Sequence, residues 1–348
     1  MSLERLPRIR LAALPTPLEE APRLTEALGG ARILVKRDDL TGLAFGGNKT
    51  RKLEYLIADA LKQGADVVLT VGAAQSNHCR QTAAAARRAG LRCILVLSRS
   101  EHNELQGNLL LDALLDADVR MIEPRPGRGA SEAMVEVGEE ERKKGHRPYL
   151  IPGGGSNGLG AIGYAQCVLE LQLQLLELGQ TVDYLYVSSG SGGTQGGLLL
   201  GARMYSAPYR IVGVSPGGAA EGVRQSVART ANEGARLLGL GLAFSPADAV
   251  VHDEYVGPGY AIPTPASNEA IRLFAQTEGL IIDPVYTAKA AAGMIDHLRR
   301  GVVPPDATVV FLHTGGTPAL FAYHAEVAGA LERVPVGVES LITQRVGS

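Results

Sequence analysis

At 348 residues the chain is longer than one compact core usually holds, which leaves two lobes or one large α/β unit. Hydrophobic residues at 45% and charged residues at 20% exclude a disordered chain, while 34 basic against 36 acidic residues, no basic run, no Trp and 5% aromatics argue against a nucleic-acid or anionic-membrane partner. The 43 glycines, many of them clustered, point to loops whose backbone approaches a ligand, so the class is a small-molecule enzyme or binder.

In chain order, residues 1–17 alternate charged and apolar positions too finely for the core of a signal peptide. Short apolar strands are predicted at 33–36, 67–71, 93–97, 119–122, 149–152, 184–187, 211–214 and 309–312. Between them lie helical patterns at 51–62, 77–89, 159–178, 194–204, 267–278 and 288–299. That alternation predicts an α/β fold of open parallel sheets with helices on both faces. The most apolar helical stretch, 168–178, carries Glu170, Gln172, Gln174 and Glu177 and is no membrane span. Cys79, Cys93 and Cys167 are odd in number and lack metal-ligand spacing, so they read as reduced thiols in the cytoplasm. The mixed charge run 139–144 reads as a solvated helix face.

Four glycine- or polar-rich turns carry candidate chemistry. Lys49 follows Gly46-Gly47-Asn48 at the start of a helix, where a cation opposes the macrodipole. A lysine desolvated there has a depressed pKa and can form a Schiff base, although a plain surface lysine is the competing reading. In Gln75-Ser-Asn-His78, Ser76 and Asn77 either cap the next helix or donate to a carboxylate or phenolate. Gly158-Leu-Gly160-Ala-Ile-Gly163 has the form of a dinucleotide fingerprint, but the next strand ends Val187-Ser188-Ser189 without a carboxylate for a ribose. Close helix–sheet packing accounts better for those glycines.

The fourth turn, Gly190, Ser191, Gly192, Gly193 and Thr194, lies between a strand and a helix. Its backbone N–H groups, two hydroxyls and helix N-terminus make a cup for one phosphate monoester. It has no P-loop lysine, so a nucleoside triphosphate is not expected. His78, His252 and His313 are scattered and form no metal set, and no nucleophile elbow is present.

A Schiff-base lysine, a Ser/Asn loop and a phosphate cup describe a pyridoxal-phosphate site. The chain resembles the tryptophan-synthase-β-like (fold type II) enzymes, within the family of 1-aminocyclopropane-1-carboxylate deaminases and D-cysteine desulfhydrases. The resemblance rests on Pro15-Thr-Pro-Leu18, Lys36-Arg-Asp-Asp39, Gly46-Gly-Asn-Lys-Thr-Arg-Lys-Leu-Glu54, Gln75-Ser-Asn-His78 and Arg80-Gln-Thr82. Gly154-Gly-Ser-Asn157, residues 190–197, Gly259-Tyr-Ala-Ile-Pro263, Asp283-Pro-Val-Tyr286 and His313-Thr-Gly-Gly316 follow in order.

By that resemblance, residues 52–160 form a small domain inserted in a larger cofactor-binding one built from 1–51 and 161–348. Lys49 is implied to form the Schiff base, Asn77 to meet the cofactor's phenolic oxygen, and Lys52 with Gly190 to Thr194 to hold its phosphate. Ser76 would contact the substrate carboxylate. Tyr260 and Tyr286 would face the substrate, Tyr286 also lying beside the pyridine ring. A homodimer is implied as well. The deaminases carry Glu and Leu where this chain has Thr287 and Thr314, and those threonines are expected beside the ring, favouring β-elimination over ring opening. The implied reaction takes D-cysteine to pyruvate, hydrogen sulfide and ammonia, with Lys49 as base. L-cysteate sulfo-lyase, the cyclopropane deaminase and a catalytically silent cofactor-binding protein are the alternatives. The two tyrosines argue against the last.

Overall fold

Among the residues that the computed structural model describes (6–123, 125, 129–329 and 331), ten strands fall into two sheets. The first five residues of the N-terminal stretch, and residues 332–348 at the end of the larger predicted domain, lie outside the described residues. The smaller sheet has the order β5 (Asp118–Ile122), β4 (Arg92–Ser98), β3 (Val67–Ala73) and β6 (Pro148–Leu150), all parallel. The larger has β1 (Leu18–Glu20), β2 (Arg32–Lys36), β10 (Thr308–Leu312), β7 (Tyr184–Ser188), β8 (Arg210–Val214) and β9 (Val250–His252).

The larger sheet is parallel except at one edge, where β1 runs antiparallel to β2 with Leu18 opposite Lys36. The wholly parallel expectation fails there. Both β1 and β9 are three-residue edge strands, too short to show any periodicity.

Successive residues of each strand serve opposite faces, as the pleat requires. Val67, Leu69 and Val71 meet Ala133 and Met134 of α5 (Ala130–Lys143), whereas Val68 joins Leu53, Leu56, Ala83 and Leu109 from α2 (Lys49–Lys62), α3 (Asn77–Arg88) and α4 (Gly107–Leu114). In the larger sheet Ile33 and Val35 pack with α1 (Pro22–Leu28), α9 (Pro265–Glu278) and α10 (Thr287–Arg299). Leu34 faces the other way, toward α6 (Gly158–Leu178) and α7 (Gly193–Met204), and α8 (Ala220–Leu238) packs outside that pair. Helices therefore cover both faces of both sheets.

Two readings are corrected by packing partners remote in sequence. A Cβ on Gly163 would overlap the backbone of Arg51 in α2, and one on Gly158 would meet Glu233 in α8. These glycines thus allow close helix–helix rather than helix–sheet approach. Within the charge run 139–144, Glu141 is buried and takes hydrogen bonds from Lys144 at 2.7 Å and Arg92 at 3.2 Å.

The first turns of α2 are anchored by a buried ionic network. Arg51 Nε and Nη2 donate to Asp38 at 2.8 Å each, and its Nη1 donates to Glu170 of α6 at 2.9 Å. Lys36 Nζ reaches Glu170 at 2.5 Å, and Tyr164 donates its hydroxyl proton to Asp38 at 2.5 Å. Burial raises the Asp38 carboxyl, but Arg51 and Lys36 overcome it and hold that carboxyl below its ordinary 3.8. The turn that carries Lys49 is thus fixed to β2 and α6.

Candidate active site

The loops after the carboxyl ends of β3, β7, β8 and β10 converge on one cavity of about 440 Å³. Open α/β sheets bind ligands at that end. Of the residues predicted for the site, Lys49, Ser76, Asn77, Gly190, Ser191, Gly192, Gly193, Thr194, Tyr260, Tyr286 and Thr314 line this cavity. Lys52 and Thr287 stand behind its wall.

Lys49 opens α2 at the cavity and is lowered to about 8 by burial, against the opposing hydrogen bond with Lys52. Lys52 lies one turn on. Burial, then the charge of Lys49, lowers it well below its ordinary value, and its Nζ donates to Gly154 O at 3.0 Å. Among the described residues neither lysine pairs with a carboxylate. These two desolvated amines have no counter-charge among the described residues, so an anion in the cavity would restore their ammonium forms.

The glycine cup faces them. Gly192 sits at φ +80°, and a Cβ there would come within 2.8 Å of the Ser226 and Val227 backbone, so the curl demands glycine. Gly193 begins α7, and a Cβ there would collide with Ser156 Oγ and Lys52 Nζ, leaving no room for a side chain. Ser191 Oγ and Ser156 Oγ share a hydrogen bond of 2.7 Å, and Asn48 Nδ2 donates to Thr194 Oγ1 at 3.0 Å. The hydroxyls of Ser188 and Ser189, also on the cavity wall, are buried without a protein partner.

Ser76 does cap α3: its Oγ accepts from Cys79 N at 3.3 Å, while the same side chain lines the cavity. The two readings of this serine are therefore compatible. Asn77 is oriented by its neighbours. Arg80 Nη1 donates to Asn77 Oδ1 at 3.3 Å and Asn108 Nδ2 donates at 2.9 Å. A guanidinium offers only donors, so the amide oxygen faces inward and the Asn77 NH₂ faces the cavity. Arg80 also grips Gly46 O at 2.8 Å, beside the turn that carries Lys49.

Tyr260 and Tyr286 share a hydroxyl–hydroxyl hydrogen bond with their rings edge to face, centroids 5.9 Å apart. Tyr286 is half-buried, and desolvation followed by the neighbouring Tyr260 holds its phenol well above 10. Tyr260 is 43% exposed and stands on the loop after β9. Thr314 faces the cavity and its carbonyl accepts from Asn48 N at 3.0 Å. Thr287 differs from expectation: its hydroxyl donates to Asp283 Oδ1 at 2.6 Å and it is not brought to the cavity wall.

Sequence reasoning assigned no role to Asp283, Arg80, Asn108 or His78. Asp283 is buried and accepts from the N–H groups of Val285, Tyr286 and Thr287 at 3.0, 3.0 and 2.8 Å, closing the turn that presents Tyr286. The Asp-Pro pair at a helix start was the available signal. His78 lines the cavity with Nδ1 unpartnered. Thr70 gives its one proton to Ile151 O at 2.9 Å, so it must accept from His78 Nε2 at 2.8 Å. The bare nitrogen is thus Nδ1, and burial together with Lys49 and Lys52 keeps the imidazole neutral.

The arrangement suits a small anionic ligand with a phosphate in the cup and a reactive carbonyl at Lys49. Comparison with known proteins gives the same class. The model of the family described as "Pyridoxal-phosphate dependent enzyme" matches residues 9–315. A D-cysteine desulfhydrase of Yersinia enterocolitica is 43% identical over 93% of this chain and 98% of its own. A 1-aminocyclopropane-1-carboxylate deaminase of Burkholderia lata is 41% identical over the same shares. The crystal structure of an ACC deaminase homologue superposes with a TM-score of 0.87 at 38% identity, over 94% of this chain and 98% of that one.

Proposed function

We propose, on the premise that this chain belongs to the pyridoxal-phosphate dependent enzyme family, that it is a lyase taking D-cysteine to pyruvate, hydrogen sulfide and ammonia. The observation that carries the reading is the desolvated pair Lys49 and Lys52, which no carboxylate compensates among the described residues and which faces the glycine cup. These residues fit the family's cofactor: a phosphate supplies the missing negative charge, and the unpartnered hydroxyls of Ser188 and Ser189 await acceptors or donors. Lys49, Lys52, Asn77 and residues 190–194 would hold it. Bound there, pyridoxal phosphate withdraws electrons from the substrate Cα, so that the Cα proton and then the Cβ sulfur can leave.

The chain's own groups do the rest. With an amine lowered to about 8, Lys49 is a competent nucleophile and, once freed by the substrate's amine, a base for the Cα proton. Ser76 Oγ, on the cavity wall, would donate to the substrate carboxylate. Tyr260 and Tyr286 carry phenolic protons at the substrate face. Thr314 brings a hydroxyl and no charge to the wall. Sulfide is a good leaving group and carbon a poor one, so an uncharged Thr314 at this wall would favour desulfhydration over ring opening.

The test is pyruvate formation from D-cysteine, L-cysteine, L-cysteate and 1-aminocyclopropane-1-carboxylate, compared by kcat/KM. D-Cysteine should lead. A preference for L-cysteate or for the cyclopropane substrate would overturn the assignment. The 41% identity to a cyclopropane deaminase makes ring opening the second reading.

We also infer a cytoplasmic homodimer. Three buried, unbridged cysteines support the compartment, and the exposed Leu169, Leu173 and Leu176 on the outer face of α6 support a partner. Sedimentation equilibrium should return twice the chain mass.

A further inference from the structure

Lys289 lies in the first turn of α10, fully buried, with no carboxylate beside it among the described residues. A helix N-terminus is an unfavourable place for such a cation. Its Nζ instead donates to three backbone carbonyls: Pro216 O at 3.0 Å, Val256 O at 2.7 Å and Gly259 O at 2.8 Å. A neutral amine has two N–H groups, so three acceptors require the ammonium.

The carbonyls belong to two separate loops. Pro216 follows β8, and with Gly217 and Gly218 it lines the cavity. Val256 and Gly259 belong to the loop after β9, and Gly259 immediately precedes Tyr260, which packs against Gly217. Lys289 itself does not line the cavity.

We propose that Lys289 is a positioning residue, a built-in monovalent cation whose carbonyl cage fixes both loops and thereby seats Tyr260 at the substrate face. The role rests on the cavity being the active site proposed above. Carbonyl cages of this kind also replace the hydration shell of potassium. The cage should therefore accept an inorganic cation once the side chain is removed.

The experiment compares the parent holoenzyme with Lys289→Ala in sodium, potassium, ammonium and tetramethylammonium chloride. Hydrogen exchange is followed at residues 214–219 and 255–262. The parent should be indifferent to the cation. In tetramethylammonium, which is too large for the cage, the variant should show a KM for D-cysteine raised about tenfold, kcat changed less, and faster exchange confined to those loops. Potassium or ammonium should restore both. Unchanged KM and exchange would overturn the proposal. So would a loss that no cation rescues, accompanied by faster exchange throughout the protein, since that marks a purely structural lysine. If Lys289→Ala does not fold, Lys289→Met fills the space without charge and should show the same local loosening with no cation response. Exchange is independent of turnover, so a parent inactive on every amino acid would sink the activity while leaving this role testable.

Discussion

Thr287 donates its hydroxyl proton to the carboxylate of Asp283, four residues earlier, at 2.6 Å. Asp283 is raised by burial, and this hydroxyl together with the three N–H groups of the turn works against that rise. The pair closes the Asp283-Pro-Val-Tyr286 turn and thereby aims Tyr286 at Tyr260. Of the two threonines only Thr314 lines the cavity, while Thr287 holds the turn that carries Tyr286.

Thr287→Val should therefore destabilise the protein by about 1–3 kcal/mol, the usual cost of stripping one donor from a buried acceptor. Thr314→Val should leave the urea midpoint within error and alter kcat/KM instead. A Thr287→Val protein with parental stability would show that the turn does not need this hydroxyl.

Desolvation lowers the Lys49 ammonium from its ordinary 10.5 to about 8. Only the neutral amine attacks a carbonyl, so the rate at which the cofactor-free protein takes up pyridoxal phosphate should rise with pH and level off above about 8. The growth of visible absorbance after mixing measures it. Borohydride should fix the cofactor on Lys49, and Lys49→Ala should yield no such adduct. An adduct on Lys52 or Lys289 would be the wrong answer.

Ser76→Ala tests the serine's two contacts separately. Loss of the 3.3 Å cap to Cys79 N should cost about 0.5–1 kcal/mol in a denaturation curve. Loss of the substrate contact should raise KM with little change in kcat, as uniform binding predicts. A lowered midpoint with unchanged KM would leave only the cap.

Asp38 is held below its ordinary 3.8 by Arg51 and Lys36 despite burial. A carboxyl lowered on folding stabilises the folded state above its unfolded value and loses that stabilisation as pH falls through the folded one. Acid unfolding should begin below about pH 4. Arg51→Met leaves the buried carboxylate with Lys36 as its nearest cation, should cost about 3–5 kcal/mol, and should move the acid midpoint upward in circular dichroism.

Much of this site could be read from the chain because each part leaves a local mark. A lysine after two glycines, a Ser-Asn at a strand end and a glycine-serine run before a helix are all features of a few adjacent residues. What escaped depends on chain that is distant. Asn108 orients Asn77 from 31 residues away in sequence, and nothing near either one announces it. Glu141 of α5 is buried where Arg92 of β4 and Arg120 of β5 donate to it. Thr287 is the local case: its hydroxyl turns to Asp283, four residues away, and not to the cavity wall.

Cys79, Cys93 and Cys167 are all buried, and burial raises each thiol above its ordinary 9.0. Such thiols carry almost no thiolate at neutral pH, and thiolate is the form that exchanges with disulfides and polysulfides. A catalyst that liberates sulfide at its own surface is thus chemically deaf to the oxidised sulfur that accumulates around it. Its turnover should persist in polysulfide mixtures that silence enzymes with an exposed cysteine.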